Sequence, residues 1–483
     1  MRSQSVNTKA VLTVLLLANF IVTLDIAVVN VAVPSIGAQL HAEIADLQWV
    51  VTLYALMLGG LLLFGGRAAD LFGRRRVLMW GISLFTLASV AAGMAPSIEA
   101  LLVARAMQGT GAALIVPAAL AILVNTFQEG TERTKALGAF GGVGAMAATF
   151  GVVVGGALTS GPGWEWVFFI NIPIGIAMLV IAWRAIPANR PVRGEKTDLL
   201  GAVLVTSGLL AVVLAISNGP DYGWTSGQTL GSFALGFALL VGFVVTESRV
   251  SAPLVPLRIF RRRTLTGASV VAALTFAALF GSFFQVSVFL QGALGFSALR
   301  TGSANLAIGL MAALVAIVFA PKVVSRFGAG VGLSMGSVAT AGSLVLLAQV
   351  GADATYWANI FPAFLLMGVG AGFAGMAIEV AAFIGVQESE SGLTGGIVET
   401  AREVGGALGV AIMASVGFAV AALAPSGIGD DPIVSLVDGF QRGMYVGAGF
   451  AIAAAIASAL IVVPAERAAA RSTADVQREP ALI

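Results

Sequence analysis

Gly65-Gly66-Arg67-Ala68-Ala69-Asp70-Leu71-Phe72-Gly73-Arg74-Arg75-Arg76 is a short charged stretch set between two apolar runs, residues 48–64 and 77–95. Each run is long enough to cross a bilayer, so the charges between them belong to a loop at a membrane surface. Asp70 is placed to accept hydrogen bonds from the backbone N–H groups that open the next helix, while the arginines stay in water. Glycines at 66 and 73 let the two helix ends approach closely. A plain topology anchor would also account for the charges.

The same alternation fills the chain. With 58% hydrophobic and 10% charged residues over 483 positions, a soluble globular protein is excluded. Apolar segments bounded by charge, Gly or Pro predict fourteen spans, at 10–34, 48–66, 77–95, 99–126, 136–160, 165–186, 199–218, 228–247, 265–292, 301–324, 329–350, 356–383, 392–422 and 438–463. An even number puts both termini on one side. If that side is cytoplasmic, the inner segments hold 22 of the 26 Lys and Arg, Arg300 and Arg442 are outer, and Arg105 and Arg402 lie within spans. The outer segments are acidic, with Glu43, Asp46, Glu99, Glu165, Asp221, Asp353, Asp430, Asp431 and Asp438. Residues 384–391, with Glu388 and Glu390, break the rule. Arg258 and Arg261 to Arg263 either anchor topology or contact anionic lipid headgroups. The first apolar run is too long for a signal peptide and contains Asp25, so it reads as an uncleaved span. The expected location is the inner membrane of a cell whose Ala, Gly and Arg usage suggests a bacterium.

The chain has no cysteine, which removes disulfides, thiol catalysis and cysteine metal sites. The single histidine, His41, falls in an outer loop and reads as a solvated residue. No nucleotide-binding glycine loop occurs. No enzyme activity, cofactor, metal, nucleotide or nucleic-acid partner is expected.

At Gly66, Asp70, Gly73, Arg74 and Arg75 the opening stretch resembles the signature loop between the second and third helices of the major facilitator superfamily, with Ala68 where a larger apolar residue is usual. That resemblance implies an all-α polytopic fold, and a gating loop that latches two six-helix halves on the cytoplasmic side. Residues 321–328 look like a degraded copy of the loop, with Ser325 where Asp70 stands. The implied division is an N-terminal six-helix half over 1–190, two inserted linker helices over 191–263, a C-terminal half over 264–465 and a tail over 466–483.

Within span one, Leu24-Asp25-Ile26-Ala27-Val28-Val29-Asn30 and onward to Pro34 resembles the first-helix motif of the fourteen-span drug:proton antiporters, with Ala27 where threonine is usual. A carboxylate in an apolar helix is costly unless it faces a cavity or a partner, and desolvation favours its neutral form. Asp25 is therefore a candidate proton or cation site, or else a carboxylate fixed in a structural hydrogen bond. Span four carries Arg105-Ala106-Met107-Gln108-Gly109, which resembles the family motif whose arginine assists proton transfer. Asp25 lies roughly 21 Å from the inner end of its span and Arg105 roughly 9 Å from the outer end of its own. On an apolar core about 30 Å thick these are similar depths, so the two are expected to be coupled across the central cavity.

Gly151, Gly155 and Gly156 in span five resemble the antiporter motif but with Val152 in place of its proline, so close helix packing explains them equally well. Trp164-Glu165-Trp166 and the following Phe-Phe-Ile-Asn-Ile-Pro resemble the start of span six, the tryptophans reading as interfacial anchors. In the C-terminal half, Glu379, Glu399, Arg402 and Glu403 form a second carboxylate cluster at one depth. It is either an extra cation or proton site or an inner-face salt-bridge cluster that closes the gate. Phe280, Phe284 and Gln285 of span nine, with Asn30 and Gln108, are candidates for binding flat lipophilic ligands, helix packing being the plainer role of the rings.

These features together imply a monomeric proton-coupled antiporter that exports lipophilic, including cationic, drugs or antibiotics by alternating access, in contact with protons and membrane lipids. A dedicated exporter of one metabolite, a non-transporting sensor and a lipid translocator are the alternatives.

Overall fold

The computed structural model describes residues 8–127, 131–187, 198–250, 253–386, 391–423 and 432–478, and those residues form helices and turns without any strand. Glu388, Glu390, Asp430 and Asp431 lie outside them, as do the side chains of Arg67, Asp70 and Asp221. Among the described residues, twelve helices are long and apolar enough to cross a membrane. Two more, Thr131–Ser160 and Ser391–Leu423, have the length of the others, which gives the fourteen-helix arrangement.

The first group of helices comprises α1 (Thr8–Leu40), α2 (Ile44–Phe72), α3 (Arg74–Gly93), α4 (Ile98–Thr126), α5 (Thr131–Ser160), α6 (Trp166–Phe169) and α7 (Asn171–Ala185). They share a core in which Leu15, Ala18, Phe85, Ile115 and Met178 are fully buried. The α6–α7 break lies at Ile170, because the nitrogen of Pro173 cannot donate to the Phe169 carbonyl. A hairpin follows, α8 (Leu199–Tyr222) and α9 (Gly227–Arg249). Asp198 caps α8 by accepting from the Gly201 N–H at 2.7 Å, and buried Glu247 accepts from the Leu254 and Val255 N–H groups. Only α8 packs inward, against α2 and the later helix α15.

The second group comprises α10 (Arg263–Gly292), α11 (Ala298–Leu314), α12 (Ala320–Phe327), α13 (Ala329–Leu347), α14 (Phe361–Ala382), α15 (Ser391–Leu423), α16 (Pro432–Ala457) and α17 (Val463–Arg478). Three π-helical turns interrupt it, at Val315–Phe319, Tyr356–Ile360 and Ser458–Val462. Each ends two residues before a proline: Pro321, Pro362 and Pro464. A proline has no N–H and its ring crowds the carbonyl four residues back, so the preceding turn widens.

The 66–76 stretch is not an open loop. Helix α2 continues to Phe72 and α3 starts at Arg74, leaving Gly73 alone between them at φ 93°. Gly328 joins α12 to α13 with the same φ of 93°, a conformation that costs other residues a steric clash. The repeat legible at residues 321–328 is thus also a repeat of backbone geometry. We call the end of the bundle that bears Gly73 and Gly328 the basic end, and the opposite one the acidic end.

The two groups meet along two seams. On one, α5 lies against α11 at the acidic end, where the Ser160 hydroxyl accepts from the Leu299 N–H at 3.0 Å. On the other, α2 runs against α15, from Ala55 and Leu56 beside Ala407 and Ala411 to Leu63 beside Gly396. A third contact joins Gln291 of α10 to the Val31 carbonyl of α1 at 3.0 Å.

Candidate functional site

Asp25 sits mid-way along α1 among apolar residues and is fully buried. A carboxylate removed from water this completely needs a counter-charge and donors to both oxygens. The fold supplies them from two other helices. Arg105 of α4 brings Nη1 to 2.5 Å from Asp25 Oδ2. Asn171, the first residue of α7, donates from Nδ2 to Oδ1 at 2.8 Å, and Gln108 of α4 donates from Nε2 to the same oxygen at 3.2 Å.

Arg105 is held as firmly. Its Nε donates to the Val50 carbonyl of α2 at 2.8 Å, and its Nη1 also donates to Gln108 Oε1 at 2.9 Å. Its guanidinium lies 4.2 Å from the centroid of the Tyr54 ring, a cation–π contact inside the bundle. Ser89 of α3 accepts from Gln108 at 2.8 Å and passes its own hydrogen to the Phe85 carbonyl. Five helices therefore converge on one charge pair, which is sealed from solvent.

Sequence reasoning named Asp25, Arg105 and Gln108 but expected the charge pair to face each other across a cavity. The structure brings them into direct contact inside the first group of helices, and puts Gln108 between them. Ser89, Tyr54 and Asn171 were not assigned a role. The readable signal was depth: each is a polar side chain in an apolar span near the level of Asp25.

The second cluster divides. Arg402 pairs through Nη2 with Glu379 of α14 at 2.8 Å and through Nη1 with Glu399 at 3.1 Å, while its guanidinium lies 5.2 Å from the Phe276 ring centroid. Glu403 faces the α2 seam beside them, its Oε2 buried without a hydrogen-bond partner.

The other predicted residues are in packing positions. Asn30 donates to the Ile26 carbonyl in its own helix, and Gln285 to the Met413 carbonyl of α15. Phe284 is buried in the core that joins α1 to α15, and Phe280 packs edge-on against Phe276 and over Gly406. A Cβ at Gly155 would meet the Val28 backbone of α1 at 2.7 Å, and one at Gly156 the Ala298 carbonyl of α11 at 2.6 Å, so these glycines set the approach of α5 on both sides. In the 66–76 stretch, Gly65 is the tight position, pressed on the Ala113 carbonyl, whereas a Cβ at Gly66 would make ordinary contact with Pro117. Half-buried Arg75 donates from Nη2 to the Trp183 carbonyl at 2.6 Å, pinning the start of α3 to the end of α7. Trp166 is exposed as an interfacial anchor would be, but Trp164 is buried edge-on against Phe168. Glu165 accepts from Gln39 at 2.8 Å.

A sequence model of the Major Facilitator Superfamily matches residues 15–410. The chain belongs to that superfamily. Its relatives within it include the puromycin resistance protein pur8 of Streptomyces alboniger, 36% identical over 93% of this chain and 90% of that one. The cephamycin export protein CmcT of Amycolatopsis lactamdurans is 35% identical over 83% of each chain. The tetracenomycin C resistance and export protein of Streptomyces glaucescens is 34% identical over 81% of this chain and 72% of that one. Among solved structures, the POT family transporter PepTSo superposes with a TM-score of 0.69 at 17% identity, covering 95% of this chain and 98% of that one. A bacterial homolog of the human lysosomal transporter Spinster, captured inward-facing and unoccupied, gives 0.63 at 16%, covering 96% and 98%. At these identities the likeness is one of fold alone.

Proposed function

We propose that this chain exports lipophilic small molecules, antibiotics among them, across a bacterial inner membrane in exchange for protons, with Asp25 and Arg105 as the coupling pair. The observation that carries the reading is the Asp25–Arg105 contact, sealed inside the bundle and shared among α1, α2, α3, α4 and α7. In this proposal the basic end faces the cytoplasm, as the sorting of Lys and Arg requires.

The chemistry follows from the donor set. Protonating Asp25 cancels the charge that holds Arg105, Asn171 and Gln108 around it. Arg105 then keeps the Val50 carbonyl, the Gln108 amide oxygen and the Tyr54 and Phe168 rings. That frees α1 to shift against α4 and α7. Six residues beyond Asp25, Val31 accepts the bond from Gln291 that ties α1 to α10, so a shift of α1 reaches the contact between the halves. Proton binding thereby favours one facing of the transporter and proton release the other.

The compound-specific names of the relatives, puromycin, cephamycin and tetracenomycin C among them, favour a narrow exporter as the second reading. The protein reconstituted in liposomes under an imposed proton gradient separates the two. Uptake of puromycin that ethidium and unrelated drugs compete away indicates a broad exporter, and uptake they leave untouched a narrow one. No transport of any compound by folded protein would contradict the proposal.

A further inference from the structure

Glu403 is a buried carboxyl that the Asp25–Arg105 pair does not use. It lies on α15, 4% exposed, and its Cβ sits where a side chain on Gly59 of α2 would be, at 2.8 Å from that glycine's ideal Cβ position. The seam there admits no intervening layer of side chains or water. Glu403 Oε2 has no hydrogen-bond partner. Arg402, next to it in sequence, has committed both terminal nitrogens to Glu379 and Glu399. Among the described residues the titratable groups that act on Glu403 are Arg402 and Glu399 on its own helix and Tyr54 on α2, while α8, α10, α14 and α16 bring no charge directly to it.

A buried carboxyl with a free oxygen, beside an arginine whose terminal nitrogens two other glutamates already hold, is accommodated in the neutral form, since charging it there would add a third anion to one cation away from solvent. We propose that Glu403 is a second proton site of this transporter, on the C-terminal half, which lets the α2–α15 seam close only while it is protonated. Loss of the proton breaks the O–H bond and gives the hydrogen to a water molecule, leaving a carboxylate and a hydronium ion. The carboxylate then draws water into the seam, and α2 and α15 part. Tyr54 connects the two sites: it stacks on Arg105 on one side and lies within electrostatic reach of both Asp25 and Glu403. The two carboxyls thus sit on opposite sides of the α2–α15 boundary, one in each half. This inference deepens the proton-coupled reading, yet it can be tested without any transported compound.

The chain has no cysteine, so introduced cysteines label cleanly. Phe72 at the basic end of α2 and Phe383 just after α14 are exposed, 47% and 38%, and tolerate spin labels. Full-length protein in lipid nanodiscs carrying Phe72→Cys and Phe383→Cys is measured by pulsed electron resonance between about pH 5 and pH 9. The fraction with the halves apart at the basic end is expected to rise roughly threefold with pH. Glu403→Gln should remove the larger part of this rise, in the parent and in an Asp25→Asn background alike, and Glu403→Asp should restore it. A Glu403→Gln protein that titrates like its parent, or an Asp25→Asn protein in which Glu403→Gln changes nothing further, would overturn the proposal. Failure to transport any drug would sink the exporter reading while leaving this titration standing.

Discussion

Arg105 Nη1 and Asp25 Oδ2 are 2.5 Å apart, 80 residues apart in sequence and both out of reach of solvent. Each is the other's condition for being there. Removing the arginine leaves a buried anion, and a group in that position costs about 3–5 kcal/mol. Arg105→Gln is therefore expected to melt well below the parent in detergent. The double variant Asp25→Asn with Arg105→Gln should recover much of that loss, with a non-additivity of about 1–3 kcal/mol in a thermal-shift cycle. Additive effects would mean the two do not stabilise one another.

Glu466 of α17 accepts from the Ala329 and Gly330 N–H groups at 2.8 and 2.9 Å, capping α13 directly after Gly328. Glu466→Ala should cost about 1 kcal/mol, the usual worth of a helix cap. Gly328→Ala should cost at least as much, since φ 93° strains any side chain and the added methyl would press on the Glu466 carboxylate. Thermal unfolding of the purified protein reads both, and unchanged melting of either variant would contradict the assignment.

Gly156 lets α5 lie against the Ala298 carbonyl where the acidic end is closed. Gly156→Val wedges α5 from α11 and should hold that end apart. Gln291, half-buried and bonded to Val31 in the parent, is the reporter. Gln291→Cys in the Gly156→Val background is expected to react with a membrane-impermeant maleimide several times faster than in the parent background. Equal rates would show that α5 and α11 do not close this end.

Breaking the Arg402–Glu379 pair should do little to stability, because Glu379 is about 44% exposed and solvent screens the pair. Glu379→Gln is expected to change stability by less than about 1 kcal/mol. A larger loss in chemical or thermal unfolding would mean that the pair, rather than the α14–α15 packing around it, holds these helices together.

The fold was legible because a membrane imposes it: runs of apolar residues at bilayer length, sorted by the charges between them, leave few alternatives. The hinge residues Gly73 and Gly328 were legible because only glycine accepts their backbone. Partnership was legible only as depth along a helix. That put Asp25 and Arg105 at one level but gave no rotation about the helix axes, so contact looked like separation across a cavity. Helix rotation is set by packing, through small residues such as Gly151 and Gly155, and no single span encodes it. For the same reason the sequence grouped Glu403 with Glu399 without distinguishing their directions, and the structure turns one to the α2 seam and the other to Arg402. Ser89 and Asn171 looked like incidental polar residues until the fold brought them to one point.

Substrate-dependent proton flux in Asp25→Asn is the most direct test. The variant keeps the shape of the side chain while removing the ionisable group and one of the two oxygens that accept from Arg105, Asn171 and Gln108. In proteoliposomes holding a pH-sensitive dye, addition of a transported compound should drive proton movement through the parent. In Asp25→Asn that movement should fall by about two orders of magnitude, the range for losing a positioned proton-transfer group, while downhill exchange of the same compound continues. Proton flux at the parent rate in folded Asp25→Asn would contradict the assignment of Asp25 and Arg105 as the coupling pair.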